Sequence, residues 1–358
     1  MRSSKRGLAG LFTILVAVGL VAVACGSSSS DSSSTTTKKS NFDYSSISGT
    51  LNGSGATFPK SFYEDAIAGF EDVAKSVTVN YNAVGSGQGK KDLSAGTSDW
   101  AGSDSTVKED EKANFKGPFL YFPTVAAPIT VSYNLSGVKE LKLSPSTLAK
   151  IFTGTITSWN DPAIATDNSG VTLPSTKITV VVRSDGSGTT SNFAKYLAAA
   201  APTDFTLTPG DTVAWPSAQA GKGNAGVAQI IKDTAGSIGY VDLSDSKATG
   251  LRTASIKNKD GNFVAPTLAG ATAALAGAVV KDDLTYSALN AAGAEVYPIT
   301  ASTYVLVYTT PAANATAIRG WLTYLLTEGQ DLAEDADFAP LPTALRDRAL
   351  AQIAQIQG

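Results

Sequence analysis

The chain has no histidine and one cysteine in 358 residues. Without histidine there is no Ser-His-Asp or Cys-His catalytic group and no His-ligated metal site. With one cysteine there is no internal disulfide, so stability must come from a packed core. Charged residues make up only 16% of the chain, against 43% hydrophobic, which fits large buried sheets. The formal net charge is −3. Nothing in it suggests a nucleic-acid partner. The first 24 residues carry Arg2, Lys5 and Arg6 and no acid, so the remainder is at −6. That balance gives no long-range attraction for an anion, although a local site can still bind one.

The cysteine is placed informatively. Arg2, Lys5 and Arg6 precede an apolar run from Leu8 to Val23, and Ala22-Val23-Ala24-Cys25 closes it with small residues. This resembles a bacterial lipoprotein signal over residues 1–24, with Cys25 as the lipidated first residue of the mature chain, although Ala22 stands where Leu is commoner. The run is short for a membrane-spanning helix. Attached acyl chains, palmitate among them, would tether the protein to the cell membrane without spanning it. Residues 25–47 read as a tether, rich in Ser and Thr up to about Ser40, and too polar to bury a core. An O-glycosylated stalk fits the same composition. The length beyond it suggests two globular domains.

The organising stretch is Val180-Val181-Val182-Arg183-Ser184-Asp185-Gly186-Ser187-Gly188-Thr189-Thr190-Ser191. Its β-branched run predicts a buried strand, its glycines a turn, and the Ala-rich segment to Ala200 a helix. A helix start presents unpaired N–H groups and the positive end of the dipole, a ready anion site. Ser187, Thr189 and Thr190 add hydroxyls, Arg183 a fixed positive charge, and Asp185 a partner to hold it. On its own this segment reads equally well as a plain turn with a surface ion pair. The design recurs, however. Gly53-Ser54-Gly55-Ala56-Thr57-Phe58-Pro59 and Gly85-Ser86-Gly87-Gln88-Gly89 also join a strand to a helix. Three converging helix starts would surround a small anion with N–H groups and hydroxyls; otherwise they are ordinary α/β turns that never meet. Pattern alone stops at a small-anion receptor of α/β type.

Other readings fall away. Gly89-Lys90 lacks the following Ser or Thr and the upstream Gly of a nucleotide-binding loop. Ser136 and Lys139 match the spacing of some acyl-enzymes, but no Lys-Thr-Gly accompanies them. Elsewhere, Thr106 and Glu109 are spaced as a capping box, Pro123 and Pro128 predict breaks in the apolar segments from Phe119 to Asn134, and Ser144-Pro145 predicts a helix start.

Taken together, the three turns with Ala-Gly-Ser-Asp at 101–104, Phe-Pro-Thr at 122–124, Gly-Lys-Gly-Asn at 221–224 and Ile-Gly-Tyr-Val at 238–241 resemble the phosphate-binding (PstS) family of the bacterial ABC phosphate importer. The resemblance runs from about Gly49 to the final helix. It implies an α/β, two-domain periplasmic-binding-protein-like fold of type II, with mixed sheets flanked by helices and a ligand cleft between the domains. Domain I would comprise 48–126 and 302–358 and domain II 127–301, with crossings near Thr124–Val131 and Ala301–Val307. The implied activity is capture of inorganic phosphate outside the cytoplasm and delivery to the membrane permease subunits, by a monomer that uses no cofactor and no metal and is not an enzyme.

By position, Thr57 would give its hydroxyl and N–H, Phe58 its N–H and Ser86 its hydroxyl. Asp104 would accept a hydrogen bond from the ligand. Arg183 would pair with phosphate while leaning on Asp185, and Ser187, Gly188 and Thr189 would donate from the helix start. A carboxylate that can only accept favours a ligand that still carries a proton, which phosphate does and sulfate at neutral pH does not. A required hydrogen bond of this kind can reject the analogue lacking it by roughly 10⁴–10⁵. Arsenate should be excluded much less well. The alternatives are a receptor for another tetrahedral oxyanion, or a phosphate-binding surface or sensor protein without transport.

Overall fold

A computed structural model describes residues 39–311 and 313–358. The signal segment, Cys25 and most of the proposed tether lie outside the described residues. The last part of the tether does not: Tyr44 packs edge-on against Phe70, Ile47 is buried, and Ser40 N donates to Glu328 Oε1 at 2.9 Å. Phe42, Tyr44 and Ile47 supply the apolar surface that the preceding Ser/Thr stretch lacks.

The first half of the fold runs β1 (Gly49–Gly55), α1 (Lys60–Val73), β2 (Val77–Ala83), α2 (Ser86–Ala95) and β3 (Trp100–Ser103). The long β4 (Phe119–Asn134) follows. Beyond it come β5 (Lys142–Leu143), α3 (Pro145–Phe152), α4 (Pro162–Asp167), β6 (Thr179–Arg183), α5 (Gly188–Ala200), β7 (Gln219–Gly221), α6 (Gly223–Asp233), β8 (Ser237–Asp242) and α7 (Leu243–Thr249). The chain then passes through β9 (Arg252–Thr253), β10 (Ser255–Lys257), β11 (Phe263–Val264) and α8 (Leu268–Ala276). It returns through β12 (Thr300–Tyr308), α9 (Ala315–Leu326), β13 (Ala339–Pro340) and α10 (Thr343–Gln352).

The main sheet has the order β2-β1-β3-β12-β4-β8-β6-β7. β1 is parallel to β2 and β3, and β6 to β7 and β8, while β12 and β4 run antiparallel to their neighbours. Parallel strands need crossover helices, which places α1, α2, α5 and α6 on the sheet faces. Their apolar stripes complete the core. Trp100, Trp321, Tyr63 and Phe70 are buried in the first half, and Phe152, Phe193 and Tyr240 in the second.

β4 joins the halves without interruption, although its prolines predict breaks. Both fall where the ladder is already irregular. Pro123 lies opposite Tyr304, beside a register shift between Ser302 and Tyr304. Pro128 is the last β4 residue paired with β12, and Ile129 the first paired with β8. A missing N–H costs little at a bulge or a change of partner. The predicted Thr106/Glu109 capping box is also displaced. The short helix Glu109–Asn114 is capped at Lys108, whose N–H donates to Glu111 Oε2 at 3.3 Å.

Candidate functional site

The three glycine turns meet, with a fourth helix start, at the seam between the half-sheets. Gly87 N donates to Gly186 O at 2.9 Å. Gly188, the first residue of α5, lies so close to α2 and β3 that a Cβ there would stand 2.5 Å from Ser86 Oγ and 2.7 Å from Asp104 Cβ. Asn192, one turn further along α5, donates to Asp104 O at 2.6 Å. Thr57 Oγ1 accepts from Asn224 N at 3.2 Å, at the start of α6. Ser86, Asp104, Arg183, Ser187, Gly188 and Thr189 are buried with the Phe58 ring, and Thr57 and Asp185 are partly exposed. All eight expected ligand-contacting residues belong to these converging segments.

Arg183 ends β6 with its side chain 1% exposed. Its Nε donates to Asp185 Oδ1 at 2.9 Å, Nη2 donates to Asp185 Oδ2, and Nη1 donates to Asn224 Oδ1 at 3.1 Å. A guanidinium has five N–H groups, so these three bonds fix its plane and leave two donors for a ligand. Burial alone would raise the Asp185 pKa. The Arg183 hydrogen bonds and charge, with the Gly223 N–H at 3.0 Å, outweigh it and hold the carboxyl below its usual range. Asn224 Nδ2 also donates to Thr189 Oγ1 at 3.3 Å. Asn224 thus links Arg183, Thr189 and Thr57, a role that sequence reasoning missed. Its only signal was the Gly-Lys-Gly-Asn motif.

Asp104 follows β3 and is 3% exposed. Its Oδ2 accepts from Ser86 Oγ at 3.4 Å and its N–H donates to the same hydroxyl at 3.2 Å, while Oδ1 has no well-formed hydrogen bond among the described residues. Burial pushes its pKa up to about 7, and Asp211 adds to the rise; Thr303, Arg183 and Ser86 pull the other way. Ser187 caps α5 by accepting from Thr190 N at 3.1 Å.

Three further contacts fasten the seam. Lys90 Nζ, on α2, lies 2.9 Å from Asp211 Oδ2 in the opposite half and 3.2 Å from Ser105 Oγ. Lys247 on α7 pairs with Asp337, and Ser61 Oγ donates to Ser244 Oγ at 3.2 Å. Among the described residues, no group of acidic and thiol side chains could hold a metal. None of their helices is long and apolar enough to cross a membrane.

A closed seam of helix N-termini around one oriented arginine, between half-sheets that share a strand, defines a two-lobed α/β receptor for a small anion. The chain matches the PBP superfamily domain over residues 27–328. It is 35% identical over 321 residues to the phosphate-binding protein PstS of Pasteurella multocida, covering 87% of this chain and 92% of that one. It is also 35% identical over 314 residues to PstS 3 of Mycobacterium tuberculosis, covering 84% of each. The chain belongs to the PstS family of phosphate-binding proteins within that superfamily. Solved structures share the fold. A high-affinity periplasmic phosphate-binding protein bound with phosphate aligns at TM-score 0.70 and 22% identity, over 85% of this chain and 94% of that one. A phosphate-binding protein from Stenotrophomonas maltophilia aligns at 0.67 and 22%, over 85% and 93%.

Proposed function

We propose that this protein captures inorganic phosphate outside the cytoplasmic membrane, held there by lipid on Cys25, and delivers it to the permease of an ABC phosphate importer. The observation that carries the reading is the buried, half-satisfied carboxylate of Asp104 opposite the oriented Arg183. One group accepts from a protonated oxyanion, and the other donates to its charged oxygens. Thr57, Phe58, Ser86, Ser187, Gly188 and Thr189 supply the remaining donors, and Asp185 positions Arg183. Neutral hydrogen bonds contribute about 1 kcal/mol each and charge-assisted ones roughly 1.5–3, so several in a closed site bind tightly. In this reading no cofactor takes part.

In this reading the lobes are 48–126 with 302–358, and 127–301. The change of β4 partners between Pro128 and Ile129 supports a hinge there. Closure would bring the glycine turns together over phosphate, and the closed monomer would dock on the permease. The test is calorimetric titration of the phosphate-stripped protein with phosphate and then sulfate at pH 8.5. Tight phosphate binding with weak or undetectable sulfate heat supports the reading. Equal binding of both leaves a general oxyanion receptor, and no heat with either removes the receptor function. Transport is tested separately, by loss of phosphate uptake on deletion of the gene.

A further inference from the structure

Charged recesses open at the seam between the halves; one, of about 230 Å³, mixes Lys90, Lys91 and Lys108 with Glu111 and Asp211, and two others are more one-sided. One, of about 380 Å³, sets Lys60 against Glu64, Asp65, Asp245, Asp335 and Asp337. The other, of about 480 Å³, has Asp104 in its wall, with Lys195 and Lys281 as its other charged residues. Lys195 lies on α5 one turn beyond Asn192, the residue bonded to the backbone of Asp104. Among the described residues, neither Lys195 nor Lys281 has an ion pair.

Two lysines and one carboxylate line the Asp104 recess, a net positive charge. Burial and the charges of Lys90, Lys108 and Lys281 lower the pKa of Lys195, opposed by Asp211, which is already bonded to Lys90. Asp282 and Asp283 flank Lys281 in sequence, but neither lines the recess. Asp283 is occupied by the N–H and hydroxyl of Thr285, at 3.0 and 2.6 Å. Arg348, also outside the lining, donates to Lys281 O at 2.8 Å. Tyr286 and Ser302, in the wall, carry hydroxyl oxygens with no well-formed hydrogen bond among the described residues.

We propose that this recess is the anion's entry port: Lys195 and Lys281 form an outer station that holds a small divalent oxyanion before it passes Asp104 into the buried site. The acidic recess repels the same ion. The inference rests on the phosphate reading and adds a route to it. An excess of one sign of charge in a cleft focuses the field and raises local ion concentration even where the whole molecule repels that ion.

The test measures association and dissociation rates of radiolabelled phosphate by rapid quench on the full chain. The double variant Lys195→Gln/Lys281→Gln is expected to slow association by about tenfold at low salt. Its dissociation rate should not change, and the difference should fade as added salt screens the port. Lys195→Arg keeps the charge and should keep the rate, and Asp65→Asn/Asp335→Asn should not slow association. An unchanged association rate in the double variant, or an effect confined to dissociation, overturns the port. Failure of the unaltered protein to bind phosphate overturns the receptor reading instead.

Discussion

Asp104 is the residue on which ligand choice turns, and its raised pKa changes how that choice works. An ionised carboxylate accepts only, whereas a neutral carboxyl can donate to a proton-free oxyanion. With a pKa of about 7, the neutral form is accessible near neutrality, so the barrier to sulfate is the cost of taking up one proton. We predict that sulfate binds with proton uptake and that its affinity falls about tenfold per pH unit above 7. Calorimetry in two buffers of different ionisation enthalpy measures this, and a sulfate response that is flat from pH 5 to 9 would remove Asp104 from that role. The same group sets a stability slope. Its folded pKa lies above the ordinary 3.8, so the native state binds the proton more tightly than the unfolded chain. The resulting stabilisation is complete below about pH 4 and lost as pH rises through 7. For the ligand-free protein, Tm measured relative to Asp104→Asn should therefore decline from pH 4 to 8.

Among the elements, the start of α5 is the most exacting. A methyl at Gly188 would collide with Ser86 and Asp104, both across the seam. Gly188→Ala should therefore leave each half folded while blocking closure. The expected result is near-native circular dichroism with phosphate affinity down by at least a hundredfold. Loss of the fold would place the collision elsewhere. This element was legible because a β-branched run, a glycine turn and an Ala-rich helix lie in one continuous stretch, as they do at Gly53–Pro59 and Gly85–Gly89. The predicted break of β4 at its prolines failed for a physical reason. Sequence shows that an N–H is missing at Pro123 and Pro128 but not that a bulge and a partner change make it dispensable there. The cap moved from Thr106 to Lys108 because Glu111, which accepts from Lys108 N, could equally have been read as solvent-facing.

At the level of the whole molecule, the contacts that sequence could not reveal are those spanning the seam. Asn224 reaches Thr57, 167 positions away, and Lys90 reaches Asp211 across the chain. No local periodicity encodes either. The Lys90–Asp211 pair is largely buried, at 7% and 17% side-chain exposure, so removing one partner leaves the other poorly solvated. Lys90→Met should favour the open form. Phosphate affinity should fall about tenfold or more, chiefly through faster release, as measured by stopped-flow displacement. An unchanged release rate would show that the pair only decorates the seam.

The continuity of β4 has one more consequence. Residues 119–128 of the strand complete one half-sheet and 129–134 the other, so cutting it would strand a raw backbone edge on both sides. Neither half therefore owns enough of the sheet to exist alone. Heating should yield a single calorimetric transition, and split expression of the halves should give aggregates unless they are made together. A receptor that must open and shut has in this way been kept a single indivisible folding unit.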